Sequence, residues 1–267
     1  MSSTRTDAVA GLGVARVLSL DLDGRSETSL DPDLRVFLSD LVRPHGLALR
    51  EDLLGQGVGH AFGEMGEVLL RAALAPDEPV DLLVVAFDMP DVQPGRANAV
   101  YLSRFCPGAP LAFAVCDQGT SAAFTALRIA ADCARTGDVR RAVVLVMEQT
   151  ALHYVPDRPV TLPRRNRAVA LVCEWSEDGG MTVRQSSGSD LGPDQGAELV
   201  RIGRKALGPD TAVILGADLP PGQPLTGVWT ELADRLPGWR AEHRPVLVAD
   251  LDRRHGRLST LALPALP

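Results

Sequence analysis

Within six residues, Cys116-Asp117-Gln118-Gly119-Thr120-Ser121, the chain carries a thiol and a serine hydroxyl where an apolar run gives way to an alanine-rich one. Nucleophiles at such a junction suit acyl transfer. A helix start offers its macrodipole and unpaired backbone N–H groups to a thiolate and to a developing oxyanion. Cys116 closes the run LAFAVC on the strand side of the junction, where a free cysteine also serves as a small apolar filler. Ser121 lies on the helix side. Either nucleophile needs a base, and two histidines are candidates: His153, which follows Glu148 in a Pro-rich loop, and His255, just before Gly256. A histidine in either setting is more often a surface or packing residue than a base. The remaining cysteines, Cys106, Cys133 and Cys173, show no CxxC spacing and no histidine cluster. That pattern implies neither a zinc site nor a disulfide framework, so reduced, mostly buried thiols are expected, with no metal and no cofactor.

The elements that must position these residues follow from periodicity. Apolar runs of strand length alternate with longer amphipathic stretches, the pattern of an α/β protein. Strands are expected near 15–21, 81–87, 111–116, 141–147, 168–174, 181–185, 212–216, 245–250 and 257–263. Helices are expected near 32–43, 60–75, 95–104, 120–136, 193–206 and 225–235, with Gly and Pro marking most gaps. The stretch 120–136, TSAAFTALRIAADCART, has apolar residues on nearly every face and must be covered all round. Only Thr125, Arg128, Asp132 and Arg135 interrupt it, and its small alanines would let sheets approach from both sides.

Composition narrows the setting. At 267 residues and 45% hydrophobic content the chain can build one large domain or two closely packed halves. A formal charge of -7 argues against a nucleic-acid groove, which needs a concentrated basic face. Arg140 with Arg141, and Arg164, Arg165 and Arg167, are candidate docking patches for an acidic carrier protein. Because Lys205 is the only lysine, the arginine richness also fits genomic base composition. No apolar run reaches the roughly 18 residues of a membrane span, and MSSTRTDAVAG lacks a signal pattern, so a cytoplasmic protein away from membranes is expected.

Residues 81–149 run DLLVVAFDMPD, a helix from PGRANAVYLSRF, the strand LAFAVC, the apolar helix, and RTGDVRRAVVLVMEQT. This order resembles the type III ketoacyl-acyl carrier protein synthases: strand, helix, short strand, a Cys at a strand-to-helix turn, a buried helix, a Gly turn and a strand ending in an acid. Gly137 and Glu148 supply the last two features. Further on, RNRAVALVCEW, AVILGADLPP and RRHGRLSTLALP resemble later segments of that family. The resemblance implies a thiolase-like α/β fold of five layers, αβαβα, in two half-repeats, 1–155 and 156–267, packed as one compact unit. The loops between 150 and 240 are shortened.

It also implies a site. Register from Ala126, Leu127 and Gly137 puts Thr120 at the position of the family's catalytic Cys, with no obvious base beside it. The propensity rules favour a plainer role here, a helix N-cap supplied by Thr120 or Asp117. The family's His falls near Gly216 or Ala217 and its Asn on Arg257, so the condensing trio is absent. Gln118 invites comparison with chain-length factors, the inactive partners of ketosynthases. The function implied is a non-condensing, chain-length-factor-like subunit that pairs with an active ketosynthase, or with itself, and shapes an acyl tunnel in polyketide or fatty-acid-type metabolism. Acyl carrier protein or acyl-CoA would be its acyl donor. The alternative is an acyltransferase or hydrolase acting on acyl thioesters through Cys116 or Ser121, with His255 as base. A third reading comes from RVLSLDLDGR (16–25), which resembles the first motif of haloacid-dehalogenase phosphatases. There Asp21 and Asp23 would hold Mg²⁺ and phosphate, with Lys205 and Asp218 following.

Overall fold

A computed structural model of the chain describes residues 10–177, 179–187 and 195–265. All nine expected strands form: β1 (Gly11–Leu22), β2 (Leu82–Ala86), β3 (Leu111–Val115), β4 (Arg141–Glu148), β5 (Asn166–Ser176), β6 (Thr182–Ser187), β7 (Ala212–Leu215), β8 (Val246–Asp252) and β9 (Arg257–Leu263). The helices are α1 (Glu27–Leu30), α2 (Pro32–Val42), α3 (Glu51–Gln56), α4 (Phe62–Ala73), α5 (Asn98–Ser103), α6 (Ala122–Thr136), α7 (Gln195–Leu207) and α8 (Gly227–Ala241). The short helices α1 and α3 were not expected from periodicity, since four or six residues are too few to show it. α8 runs past the expected end at 235 and through Pro237. Its last turn is held in place by tertiary contact: the Arg240 guanidinium donates to the carbonyls of Val14 and Ala15 on β1.

The strands form two sheets, β1-β5-β4-β2-β3 and β6-β9-β8-β7. In the first, β2 runs parallel to β3 and β4, while β5 is antiparallel to both β4 and β1. The second repeats this with β7 parallel to β8, and β9 antiparallel to β8 and β6. The four strands of the second sheet thus match β1, β5, β4 and β2, and β3 is the addition. Although β5 follows residue 155, it completes the first sheet, so the division between sheets falls between Ser176 and Thr182.

Strand parity sorts the core into layers, because alternate side chains leave opposite faces of a sheet. On β2 and β4, Leu83, Val85, Val143, Leu145 and Met147 pack outward against Phe62, Met65, Leu69 and Leu70 of α4 and Leu102 of α5. Leu82, Val84, Val144 and Val146 face the opposite way, onto α6 and α8. From the other side, Ile214, Val246, Val248 and Leu261 of the second sheet close on the same two helices. Leu215, Ala249 and Leu258 turn outward to Leu199 of α7. The order is α, β, α, β, α. As expected, α6 has sheet on both sides: Ala122, Ala123, Phe124, Ala126, Leu127 and Ala130 are all fully buried. Beside it, Phe124 meets Trp229 of α8 at a ring-centroid distance of 4.7 Å. Glu148, at the end of β4, joins the first sheet to α8 by accepting the backbone N–H groups of Leu225 and Thr226 at 2.8 and 2.9 Å and the Thr226 hydroxyl at 2.6 Å. Burial raises its pKa above the usual carboxylate range, with these donors opposing.

Candidate functional site

The junction 116–121 becomes an elbow at the carboxyl end of β3. Asp117 and Gly119 both adopt left-handed backbone, with φ of 58° and 55°. A turn built this way aims successive N–H groups to one side, and Gly119 to Ser121 then form a single 3₁₀ turn leading into α6. In an acyl-transfer enzyme those N–H groups would be free for an oxyanion. Here they are taken. The Gly119 N–H donates to Asp88 Oδ1 at 2.7 Å, and the Thr120 N–H donates to Asp252 Oδ2 at 2.8 Å. Neither Thr120 nor Asp117 caps the helix with its side chain, contrary to expectation. Carboxylates from the ends of two other strands do that work.

Three aspartates therefore define the site, none of them expected from the sequence. Asp88 follows β2 and is 3.6 Å from the Arg254 guanidinium. Asp250 and Asp252 share the inward face of β8 with Val246 and Val248, where the strand leaves the core. Asp252 also accepts the His255 backbone N–H at 2.9 Å and meets the His255 ring through Nδ1 at 3.1 Å. Burial pushes the Asp252 carboxyl up, but the His255 N–H, the His255 ring and the Thr120 N–H outweigh it and leave the pKa lowered. The Asp250 carboxyl is raised, first by burial and also by the neighbouring Asp252 charge, against a hydrogen bond from Thr120. Thr120, expected to lack a base, thus has a carboxylate beside it.

Space at the site is also accounted for. A Cβ on Gly119 would lie 1.7 Å from Asp252 Oδ2, and one on Gly216 would lie 1.9 Å from Asp250 Oδ1. At both positions, where the resemblance puts the elbow and a catalytic His, an aspartate fills the volume that a side chain would need. Arg257, at the position given to Asn, opens β9 and is exposed.

The remaining candidates separate. Cys116 is exposed, not the buried filler expected, because β3 is an edge strand. Burial, its contact with Asp117 Oδ2 at 3.2 Å and the Asp88 charge together raise its pKa, which disfavours the thiolate. Ser121 is buried, and its Oγ accepts from Ser259 Oγ at 3.2 Å. Gln118 accepts from the Thr125 hydroxyl at 2.6 Å. His153 is buried elsewhere, with Nε2 2.8 Å from the Val58 carbonyl, and lines an apolar cavity of about 220 Å³ that no elbow residue touches. Burial lowers its pKa.

The phosphatase reading fails on the fold. Asp21 lies in β1 and is held by Arg167 and Arg165, the latter at 2.8 Å. Lys205 belongs to α7, on the outer face of the other sheet, and no group of metal-ligating side chains occurs among the described residues. Part of each expected arginine patch is engaged within the chain. Arg141 pairs with Glu174, Arg140 stacks on Trp175, and Arg165 and Arg167 share Asp21. Among the described residues, no helix is long and apolar enough to cross a membrane.

No model of a known protein family and no curated protein sequence matches the chain. Solved structures do. ChlB3, named as an acyltransferase, superposes with a TM-score of 0.58 and 18% identity, covering 96% of this chain and 98% of that one. The 3-oxoacyl-(acyl carrier protein) synthase III of Pseudomonas aeruginosa PAO1 gives 0.57 at 15% identity over 98% and 99%. The ishigamide ketosynthase/chain length factor gives 0.55 at 14% over 77% and 80%. The chain has the thiolase fold in the form seen in ketosynthase III.

Proposed function

We propose that this chain is a non-condensing, chain-length-factor-like subunit that pairs with an active ketosynthase and shapes its acyl tunnel in polyketide or fatty-acid-type assembly. The observation that carries the reading is the double occupancy of the elbow, with Asp88 on the Gly119 N–H and Asp252 on the Thr120 N–H. Condensation requires donors around a developing oxyanion and enolate. Acceptors stand there instead. Two unit charges about 4 Å apart repel by roughly 4 kcal/mol at an effective dielectric near 20, so each carboxylate works against the charge that the reaction must build.

The edge of the first sheet supports the pairing. Thiolase-fold proteins dimerise through the strand beside the active site. Among the described residues β3 pairs only with β2; it consists wholly of apolar residues and exposes Leu111 by 66%. An uncovered apolar edge strand is a template for another chain. Co-expression with a ketosynthase from the same gene neighbourhood, followed by size-exclusion chromatography, tests this. A 1:1 complex is expected. A lone homodimer that ignores the ketosynthase counts against it.

A second reading draws on the Asp252–His255 contact, which anchors Nδ1 and leaves Nε2 without a bond among the described residues, the arrangement of a general base. An acyltransferase or hydrolase using Cys116 or Ser121 would form a covalent acyl adduct on incubation with acyl-CoA. Intact-protein mass spectrometry decides between the two readings, and the subunit reading expects no adduct.

A further inference from the structure

We propose that the cavity beyond the carboxyl ends of β2 and β4 binds a small neutral hydrocarbon bearing one hydroxyl, such as a phenol, with His153 accepting the hydrogen bond. Its place in the fold is the first support. β2 and β4 are parallel neighbours, yet the chain leaves β2 toward β3 and leaves β4 toward β5, on opposite sides. The two loops diverge and open a crevice, which is where open α/β sheets hold ligands. Both loops line the cavity, one through Val92 and the other through Leu152.

α2 roofs it. Leu38 and Val42, one turn apart on that helix, line the cavity and are buried, while Leu41 lines it at the mouth, 44% exposed. The floor is rigid. Gln149, wholly buried, donates from Nε2 to the carbonyls of Pro90 at 3.0 Å and Ala151 at 2.5 Å, and its Oε1 accepts the Ala151 N–H at 2.7 Å. One amide thus holds the two diverging loops together, so the space between them is preformed. Its volume is about 220 Å³. Protein interiors are close-packed, and an apolar space of about 150 Å³ already takes up benzene. A substituted ring therefore fits here.

His153 supplies the specificity. It lines the cavity, is 4% exposed, and its Nε2 lies 2.8 Å from the Val58 carbonyl. A carbonyl only accepts, so Nε2 carries the proton and Nδ1 is the acceptor of the neutral ring. Nδ1 has no partner among the described residues. Burial, which lowers the His153 pKa, keeps the ring in that neutral form at about pH 7. A buried acceptor in an apolar cavity favours a ligand that brings one donor. Charged ligands are disfavoured by Asp91, the only carboxylate lining the cavity, whose two oxygens accept the Phe62 N–H and the Asn98 amide, each at 2.8 Å. An anion would meet its charge, and a cation would find both oxygens engaged. The inference does not rest on the subunit reading, since the cavity shares no residue with the elbow or β3.

The test is calorimetric titration and thermal denaturation of the full chain with para-cresol, toluene and para-toluate. Para-cresol is expected to bind and raise the melting temperature. Toluene should bind about fivefold more weakly, because it leaves the His153 acceptor unpaired, and para-toluate not at all. Leu41→Trp, at a partly exposed position, should block the mouth and weaken para-cresol binding by about tenfold or more. Val68→Trp, exposed on α4, should leave it unchanged. His153→Gln keeps a donor for the Val58 carbonyl and an acceptor for the ligand, so it should retain the preference for para-cresol over toluene, whereas His153→Phe should abolish it. No binding of para-cresol up to roughly 3 mM overturns the inference. So does equal binding of toluene or para-toluate, a preference that survives His153→Phe, or equal effects of Leu41→Trp and Val68→Trp.

Discussion

The Thr120 backbone N–H and the Asp252 carboxylate meet at 2.8 Å, linking the start of the central helix to the end of a strand 132 residues away. The contact brings a permanent negative charge to a turn whose geometry is made for a transient one. Gly119 is what permits it, since any side chain there would displace Asp252.

Asp252→Asn should destabilise the protein by about 1–3 kcal/mol at pH 7, because three donors then face a neutral amide. The folded-state pKa of Asp252 lies below its ordinary value, so its contribution is present above about pH 4 and fades as pH falls through the folded value. Urea denaturation at pH 7 and near pH 3 should show the gap between wild type and variant narrowing in acid. A gap that stays constant would remove the carboxylate from this role.

Cys116 should alkylate slowly despite its exposure. Its thiol is held above the ordinary value by partial burial and by Asp117 and Asp88. Iodoacetamide labelling at pH 7.5, followed by mass spectrometry, should run slower than that of free glutathione, and Asp117→Asn should speed it. Labelling faster than glutathione would reveal an activated thiolate and revive the acyltransferase reading.

Removing Glu148 should cost more than removing any surface charge. Glu148→Ala leaves the buried Leu225 and Thr226 N–H groups without an acceptor, a loss of about 3–5 kcal/mol. Glu148→Gln keeps one acceptor oxygen and should lose less. Equilibrium unfolding would rank the two, and an equal loss would show that shape, not the acceptor, matters.

Trp229 is fully buried, and its indole N–H has no hydrogen-bond partner among the described residues. Trp229→Ala should cost about 3–5 kcal/mol through the cavity left against Phe124. Trp229→Phe keeps the aromatic contact and deletes an unsatisfied donor, so the loss should stay under about 1.5 kcal/mol. Circular dichroism during denaturation reads both. A Phe variant as unstable as the Ala variant would mean that the indole makes a contact of its own.

Much of the fold is legible in local pattern. LLVVA of β2 and VALVC within β5 are continuous apolar runs, as strands covered on both faces must be. The all-round apolar surface of 120–136 required a helix with sheet on either side, and α6 has it. The stretch VLVADLD also held a signal. Period two puts Asp250 and Asp252 on the face of Val246 and Val248, and so in the central layer. What it could not show is which residues they meet there.

Residue order by itself determined the elements, the central helix and the absence of a thiol at Thr120, because each depends on side-chain type and spacing within one segment. The tertiary structure alone decided that Asp88, Asp250, Asp252 and His255 converge on the elbow, since they arrive from strands far apart in the chain. Hydrogen bonds and charge depend on separations of a few ångströms, and those distances exist only after the two sheets have closed on α6.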